Sequence, residues 1–133
     1  MLAPLGRLLF SAIFILSSFS HFSARAIGYA AQHHVPAPQL LVPLSGIVAL
    51  VGGLSILLGA YARVGAWLVA LFLVIVTPSI HDFWNVADPM MRADQVAHFL
   101  KNLAMLGGAL LIAYYGAGPI SVDEPRSNRA PAR

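Results

Sequence analysis

The sequence predicts an all-α integral membrane protein, an antiparallel bundle of four membrane-spanning helices with a short interfacial helix between the first and second spans. Of its 133 residues, 59% are hydrophobic and 10% are charged, and the mean hydropathy is +0.78. Soluble domains carry about 25% charged residues. Four apolar runs can each cross the roughly 30 Å hydrocarbon core of a bilayer. Short links between these runs make neighbouring spans antiparallel.

The predicted spans cover most of the chain. They are placed at residues 5–21, 40–58, 66–80 and 89–115. Asp88 and Pro89 mark the start of the fourth span, because Asp is favoured at the N-cap and Pro at the first helical position. Residues 22–39 contain small apolar residues at helical spacing and end in two prolines, which predicts the short interfacial helix. Residues 59–65 are predicted to form a tight connection.

The first apolar run also has a competing interpretation as a cleaved signal peptide. Arg7 would supply the basic region, residues 8–16 the apolar region, and the Ala-Arg-Ala of residues 24–26 a cleavage site. Cleavage would leave three spans and would remove the polar end of the first helix. We therefore favour a retained membrane helix.

Residues 1–117 are predicted to form one transmembrane domain, and residues 118–133 a disordered cytoplasmic tail, because Gly, Pro, Ser and charged residues replace the apolar pattern there. The orientation prediction rests on the rule that Lys and Arg are enriched on the cytoplasmic side. Arg7, Arg63 and the three arginines of the tail fall on one side, whereas Arg25 and Arg92 fall on the other. Both termini are therefore expected in the cytoplasm.

Composition also excludes several functions. The chain has no cysteine, so it cannot form a disulfide, a thiolate metal site or a dithiol exchange centre. Its formal charge of +3 does not indicate nucleic-acid binding, because three of the basic residues lie in the tail without an aromatic–basic surface. Histidines from three helices could approach one another, but no HxxxH or ExxH spacing is present. We therefore expect no metal site and do not favour haem.

Polar residues are concentrated between residues 77 and 102, which hold three of the five acidic residues, two of the five histidines and the single lysine. The first and third spans end, and the fourth begins, at the same end of the bundle. These side chains are therefore expected to converge there, on the outer side of the membrane. The candidate residues for binding a ligand or carrying a proton are His21, His81, Asp82, Gln95, His98, Lys101 and Asn102.

Each candidate residue also has a purely structural interpretation. Lys101 can form an ion pair with Asp82 or extend its ammonium group to the interface. His81 and His98 can make interhelical hydrogen bonds that fix the packing of the bundle. His21 can be an interfacial residue at the end of its helix. The remaining histidines, His33 and His34, are predicted to lie on the surface, and Asp94 is predicted to be a solvated residue.

Four segments resemble the DoxX family of small bacterial membrane proteins. They read GRLLFSAIFILSSFSHF at residues 6–22, VPAPQLLVPLSGIVALVGGLSILLG at 35–59, HDFWNVADP at 81–89 and QVAHFLKNLAMLGGALL at 95–111. The resemblance implies a four-helix protein of the bacterial inner membrane. It also implies kinship with the DoxD-like subunits of thiosulfate:quinone oxidoreductase and with MauE-like maturation proteins.

Together, the resemblance and the polar cluster predict an accessory subunit of a quinone-linked membrane redox system. Quinone is the expected ligand, and the expected partners are the lipid bilayer and a redox protein in or at the membrane. The alternative is a non-catalytic scaffold that anchors a partner protein through small-residue helix faces. A small transporter is a third interpretation, which the absence of paired broken helices disfavours. Any enzymatic activity would be associated with an oxidoreductase.

Overall fold

The computed structural model describes residues 1–124, which form five α-helices and no β-strand. The helices are α1 (Leu2–Ser18), α2 (Ala24–Gln32), α3 (Pro38–Leu58), α4 (Ala62–Ile80) and α5 (Pro89–Tyr115). Two 3₁₀ turns, Phe19–Phe22 and Phe83–Asn85, follow α1 and α4. In this part of the chain, four helices are long and apolar enough to cross a membrane. The predicted all-α membrane bundle is therefore confirmed.

The four long helices pack in the order α1, α3, α4 and α5, each mainly against the next. The short helix α2 lies against α3 and the 3₁₀ turn that follows α1. At one end of the bundle α1 and α4 finish, and α3 and α5 start. We call this the histidine end, because it holds His21, His81 and His98.

Small residues set the distance between α1 and α3. A Cβ atom added to Gly46 would lie 2.7 Å from the Cβ of His21, and one added to Gly53 would lie 3.0 Å from Cγ1 of Ile15. The first distance is too short for a side chain and the second leaves room only if Ile15 moves, so glycine at these positions lets the two backbones approach closely. This contact brings the 3₁₀ turn with His21 directly onto α3.

Three helices begin earlier than the sequence predicted, and the smallest difference is in α3, which starts at Pro38 rather than residue 40. Helix α1 starts at Leu2 rather than residue 5, since Pro4 lies in the first turn, where its missing N–H leaves no intrahelical bond unmade. Helix α4 starts at Ala62 rather than residue 66. Gly65, which was assigned to the connection, is instead a packing residue of α4, because a Cβ atom there would lie 2.6 Å from the Cβ of Ser55.

The chain after α5 folds back onto the end of the bundle opposite the histidine end. Buried Arg7 donates hydrogen bonds to the carbonyl oxygens of Ala117 (2.5 Å), Pro119 (3.3 Å) and Ile120 (2.6 Å). The Asp123 carboxylate accepts from the first amides of α4. Residues 118–124 thus differ from the expected disordered tail, because side chains far away in sequence hold their backbone. Residues 125–133 of the predicted tail lie outside the described residues.

Candidate functional site

A cavity of about 440 Å³ lies in the half of the bundle nearest the histidine end, and all five helices contribute to its wall. We call it the histidine-end cavity. Most of the wall is apolar and includes Phe14, Val48, Phe72 and Met105. The volume falls within the range of about 300–1,000 Å³ that is typical of small-molecule sites.

Polar side chains also reach the wall of this cavity. Four of the predicted site residues line it, namely His21, His81, Lys101 and Asn102. The hydroxyl groups of Ser17, Ser20, Ser45 and Ser79 lie on the same wall. Among residues 1–124, no Asp or Glu contributes to it. The cavity therefore combines an apolar interior with one cation, imidazoles and hydroxyl groups.

His21 is positioned by the 3₁₀ turn that follows α1. Its Nδ1 lies 2.8 Å from Oγ of Ser45 and 3.4 Å from the carbonyl oxygen of Val42. The Ser45 hydroxyl already donates its hydrogen to Val42, so both neighbours can only accept from the imidazole. Nδ1 therefore carries the hydrogen, and Nε2 of the neutral ring remains an acceptor.

His81 lies directly after the end of α4 and contacts α5. Its Nδ1 donates to Oε1 of Gln95 over 2.8 Å. The amide nitrogen of Gln95 is 3.4 Å from the hydroxyl of Tyr29, which belongs to α2. Because the Gln95 oxygen can only accept, the neutral His81 ring also keeps Nε2 as an acceptor. This chain links α2, the end of α4 and α5 beside the cavity, which Tyr29 and His81 line.

His98 and Lys101 form a second polar chain, along α5. Lys101 Nζ donates to His98 Nδ1 over 3.1 Å, and His98 Nε2 lies 3.7 Å from Oδ2 of Asp94. The His98 ring stacks on that of His81, with 5.1 Å between centroids and 9° between planes. His98 and Gln95 do not line the cavity themselves. Each contacts a residue that does.

Asp82 turns away from this cluster. Its Oδ1 lies 2.9 Å from Nδ1 of His33, and its Oδ2 accepts from the side-chain amide of Asn85 over 2.9 Å. The ion pair between Lys101 and Asp82 that the sequence suggested is therefore wrong. Asp82 comes after the end of α4, where the chain turns towards α2, while Lys101 lies three turns into α5.

Asn102 is the deepest of the predicted polar residues. Its side chain is buried, and its Nδ2 donates to Oγ1 of Thr77 on α4 over 3.1 Å. Thr77 itself is also buried. The bond satisfies both polar groups inside an apolar bundle and fixes the rotation of α5 relative to α4.

Several partners of the site were not predicted. Tyr29 belongs to α2, which the sequence placed at the interface without assigning it a contact, and His33 directly follows that helix. Ser45 comes from α3. Asp94 was interpreted only as a solvated residue. The amphipathic pattern of α2 indicates that one face of the helix is covered. It does not indicate which element covers that face. The identity of these partners depends on tertiary packing.

The described residues hold no group of three or more His, Asp or Glu side chains arranged to bind a metal ion. The stacked rings of His81 and His98 lie face to face, so their nitrogens do not converge on one atom from opposite sides. That geometry differs from a pair of axial haem ligands.

The fold and the site together define a small multi-pass membrane protein with an amphipathic cavity at one end of its bundle. Residues 2–82, more than half of the chain, match the DoxX family model. The chain belongs to the DoxX family.

Curated relatives extend the match beyond residue 82. The chain is 29% identical over 119 residues to inner membrane protein YqjF of Escherichia coli strain K12, covering 89% of this chain and 86% of YqjF. It is 26% identical over 113 residues to inner membrane protein YphA of the same organism, covering 84% of this chain and 80% of YphA. No solved structure matches the chain. These relatives and the four apolar helices make the chain a small multi-pass protein of the inner membrane.

Proposed function

We propose that this protein is an accessory subunit of a quinone-linked membrane redox system and that the histidine-end cavity holds a quinone head group. The observation that carries the proposal is the composition of the cavity wall. A quinone has a polar ring with two carbonyl groups and a long apolar tail. The cavity wall likewise has a polar part and an apolar part. The polar part includes His81, Lys101 and Asn102, and the apolar part includes Phe14 and Phe72.

The polar groups suit both redox forms of such a head group. The ammonium group of Lys101 can donate to a quinone carbonyl oxygen, and hydrogen bonds from charged donors are among the stronger ones. In the neutral tautomers described above, Nε2 of His21 and of His81 can accept from a quinol hydroxyl. Within residues 1–124, the cavity wall contributes no carboxylate that would repel the partial negative charge of a carbonyl oxygen.

The proposed orientation places this cavity at the periplasmic side. Arg7 and Arg63 lie at the end of the bundle opposite the histidine end, and Arg25 and Arg92 lie near the histidine end. Together with the arginines of the sequence beyond residue 124, this distribution favours cytoplasmic termini. A quinone would then enter from the outer half of the bilayer.

Binding of short-chain ubiquinone and menaquinone analogues to the purified protein in detergent tests the proposal by isothermal titration calorimetry. We expect saturable binding to the unaltered chain and about tenfold weaker binding to Lys101→Met, which loses a charge-assisted hydrogen bond. Arg63→Met is the matched control, because it removes a cation at the other end of the bundle. We expect it to bind like the unaltered chain.

Two results would contradict the proposal. If the unaltered protein shows no saturable binding, or if both Lys101→Met and His81→Ala bind like the unaltered chain, the cavity does not hold a quinone head group. A scaffold function would then be favoured, provided that crosslinking in native membranes recovers a stoichiometric partner with these variants as well.

A further inference from the structure

A row of polar side chains on α5 runs from the histidine-end cavity to the exposed carboxylate of Asp94. Lys101 lines the cavity and donates to His98 over 3.1 Å. His98 faces Asp94 over 3.7 Å, and the Asp94 side chain is 67% exposed. The three residues are spaced i, i+4 and i+7, so they lie along one face of the helix.

The hydrogen bonds define which atoms carry protons. A lysine ammonium group has no lone pair, so it can only donate, and Nδ1 of His98 must accept. The neutral His98 ring therefore carries its hydrogen on Nε2, the nitrogen that faces the Asp94 carboxylate. Stacking on His81 holds the ring plane. The two nitrogens of one imidazole thus face opposite ends of the chain.

We infer that Lys101, His98 and Asp94 form a proton route between the cavity and the surface at the histidine end. The inference rests on the proposed function, because the route serves a head group that exchanges a proton. Lys101 passes one proton to Nδ1 of His98, and His98 releases its Nε2 proton to Asp94. The neutral amine of Lys101 then takes a proton from a hydroxyl group of the bound ligand. One ligand O–H bond breaks, one proton reaches Asp94, and no electron moves.

The other polar side chains near His98 do not offer an equivalent route. The bond of His81 leads to the carboxamide of Gln95, a group that does not readily take up and release a proton at neutral pH. Asp82 is engaged by His33 and Asn85. In the described part of the chain, Asp94 is therefore the carboxylate that receives protons from the cavity. The 3.7 Å separation between His98 and Asp94 can be closed by a small movement of the exposed carboxylate.

A hydroxynaphthoquinone with an alkyl tail, 2-hydroxy-3-alkyl-1,4-naphthoquinone, is a suitable probe, because its hydroxyl group ionises with a change in visible absorbance. The purified full chain is mixed with the probe, and the rate of its ionisation is followed by stopped-flow absorbance after a pH jump. We expect His98→Ala and Asp94→Asn to slow this rate about tenfold or more, with the dissociation constant of the probe little changed. Added imidazole should restore the rate in His98→Ala.

His34→Asn is the matched control, because it removes an exposed histidine that does not line the cavity. The probe should ionise at the same rate with His34→Asn as with the unaltered chain, whether or not imidazole is added. Unchanged rates in His98→Ala and Asp94→Asn would overturn the proton route and leave quinone binding intact. A probe that fails to bind the unaltered chain would overturn the proposed function, and the route with it.

A second measurement needs no ligand. Nitrogen-15 NMR of histidine-labelled protein reports which ring nitrogen carries hydrogen. We expect His98 to be protonated on Nε2 in the unaltered chain and to shift towards the other tautomer in Lys101→Met, which loses the donor to Nδ1. A hydrogen on Nδ1 of neutral His98 in the unaltered chain would overturn the route.

Discussion

At the scale of single residues, glycine controls how closely the first and second spans approach. Gly46 lies beneath His21, where an added Cβ atom would be 2.7 Å from the His21 Cβ and 3.0 Å from the carbonyl oxygen of Ser18. Neither neighbour is the flexible end of a side chain. Any substitution must therefore push α1 away from α3, together with the turn that carries His21.

We expect Gly46→Ala to lower the free energy of unfolding by about 1–3 kcal/mol, the usual effect of overpacking. It should also weaken binding of the short-chain quinone analogues, because His21 moves. Gly107→Ala is the control, since nothing lies within 4 Å of the added Cβ and alanine favours a helix over glycine by about 1 kcal/mol. Unfolding in mixed detergent measures the stability of both variants. Equal stability of the two variants would contradict the prediction.

The positions of four site residues could be predicted from sequence, but their partners could not. The antiparallel order of the spans placed His21, His81, Lys101 and Asn102 at one end of the bundle, and all four line the same cavity. Partner choice depends on how far each helix is rotated about its own axis. Single-sequence spacing does not determine that rotation. It also does not show that Asp82, beyond the end of α4, contacts His33 and Asn85, so the suggested pairing with Lys101 is not formed.

At the scale of secondary-structure elements, the starts of α4 and α5 show two ways of capping a helix. Asp88 directly precedes α5 and accepts from the amide of Met91 over 2.8 Å, as the sequence predicted. The amides of Tyr61 and Ala62 at the start of α4 instead donate to Asp123, at 2.7 and 2.8 Å. The cap of α5 can be recognised in the local sequence. The residue that caps α4 lies more than 60 positions away in the sequence. The predicted start of α4 was late for this reason.

We expect Asp123→Ala to lower stability by about 1 kcal/mol, comparable to Asp88→Ala, because each removes the acceptor for N-terminal amides of a helix. Val122→Ala, at an exposed neighbouring position, should change stability little. Thermal unfolding followed by circular dichroism compares the three variants. If Asp123→Ala unfolds like Val122→Ala, the contact with α4 does not contribute to stability.

At the scale of the whole molecule, the number and the length of the membrane spans follow from the positions of the apolar runs, because each run has to match the thickness of the bilayer. The helical bundle was therefore predictable. The position of α2 was not, since its apolar face would suit either the bilayer surface or the bundle. In the structure, Ala26, Tyr29 and Ala30 of α2 border the histidine-end cavity.

The orientation in the membrane is a testable consequence of the charge distribution. The sequence lacks cysteine, so single cysteines report side-specific access without background. We expect a membrane-impermeant maleimide to label Ala24→Cys, at the histidine end, in intact spheroplasts. Val122→Cys, at the other end, should react only after permeabilisation. The opposite labelling pattern would invert the predicted topology and place the cavity on the cytoplasmic side.

The contact between Arg7 and the segment after α5 has a consequence for biosynthesis. The carbonyl oxygens that receive the hydrogen bonds of Arg7 leave the ribosome 110 or more residues after Arg7 itself. Until those residues are made, the first span carries a guanidinium group without its final acceptors, which is costly within a membrane. The first helix reaches its final environment only after α5 and the segment that follows it have been synthesised. A copy truncated before residue 117 therefore retains a guanidinium group that has lost all three of these acceptors.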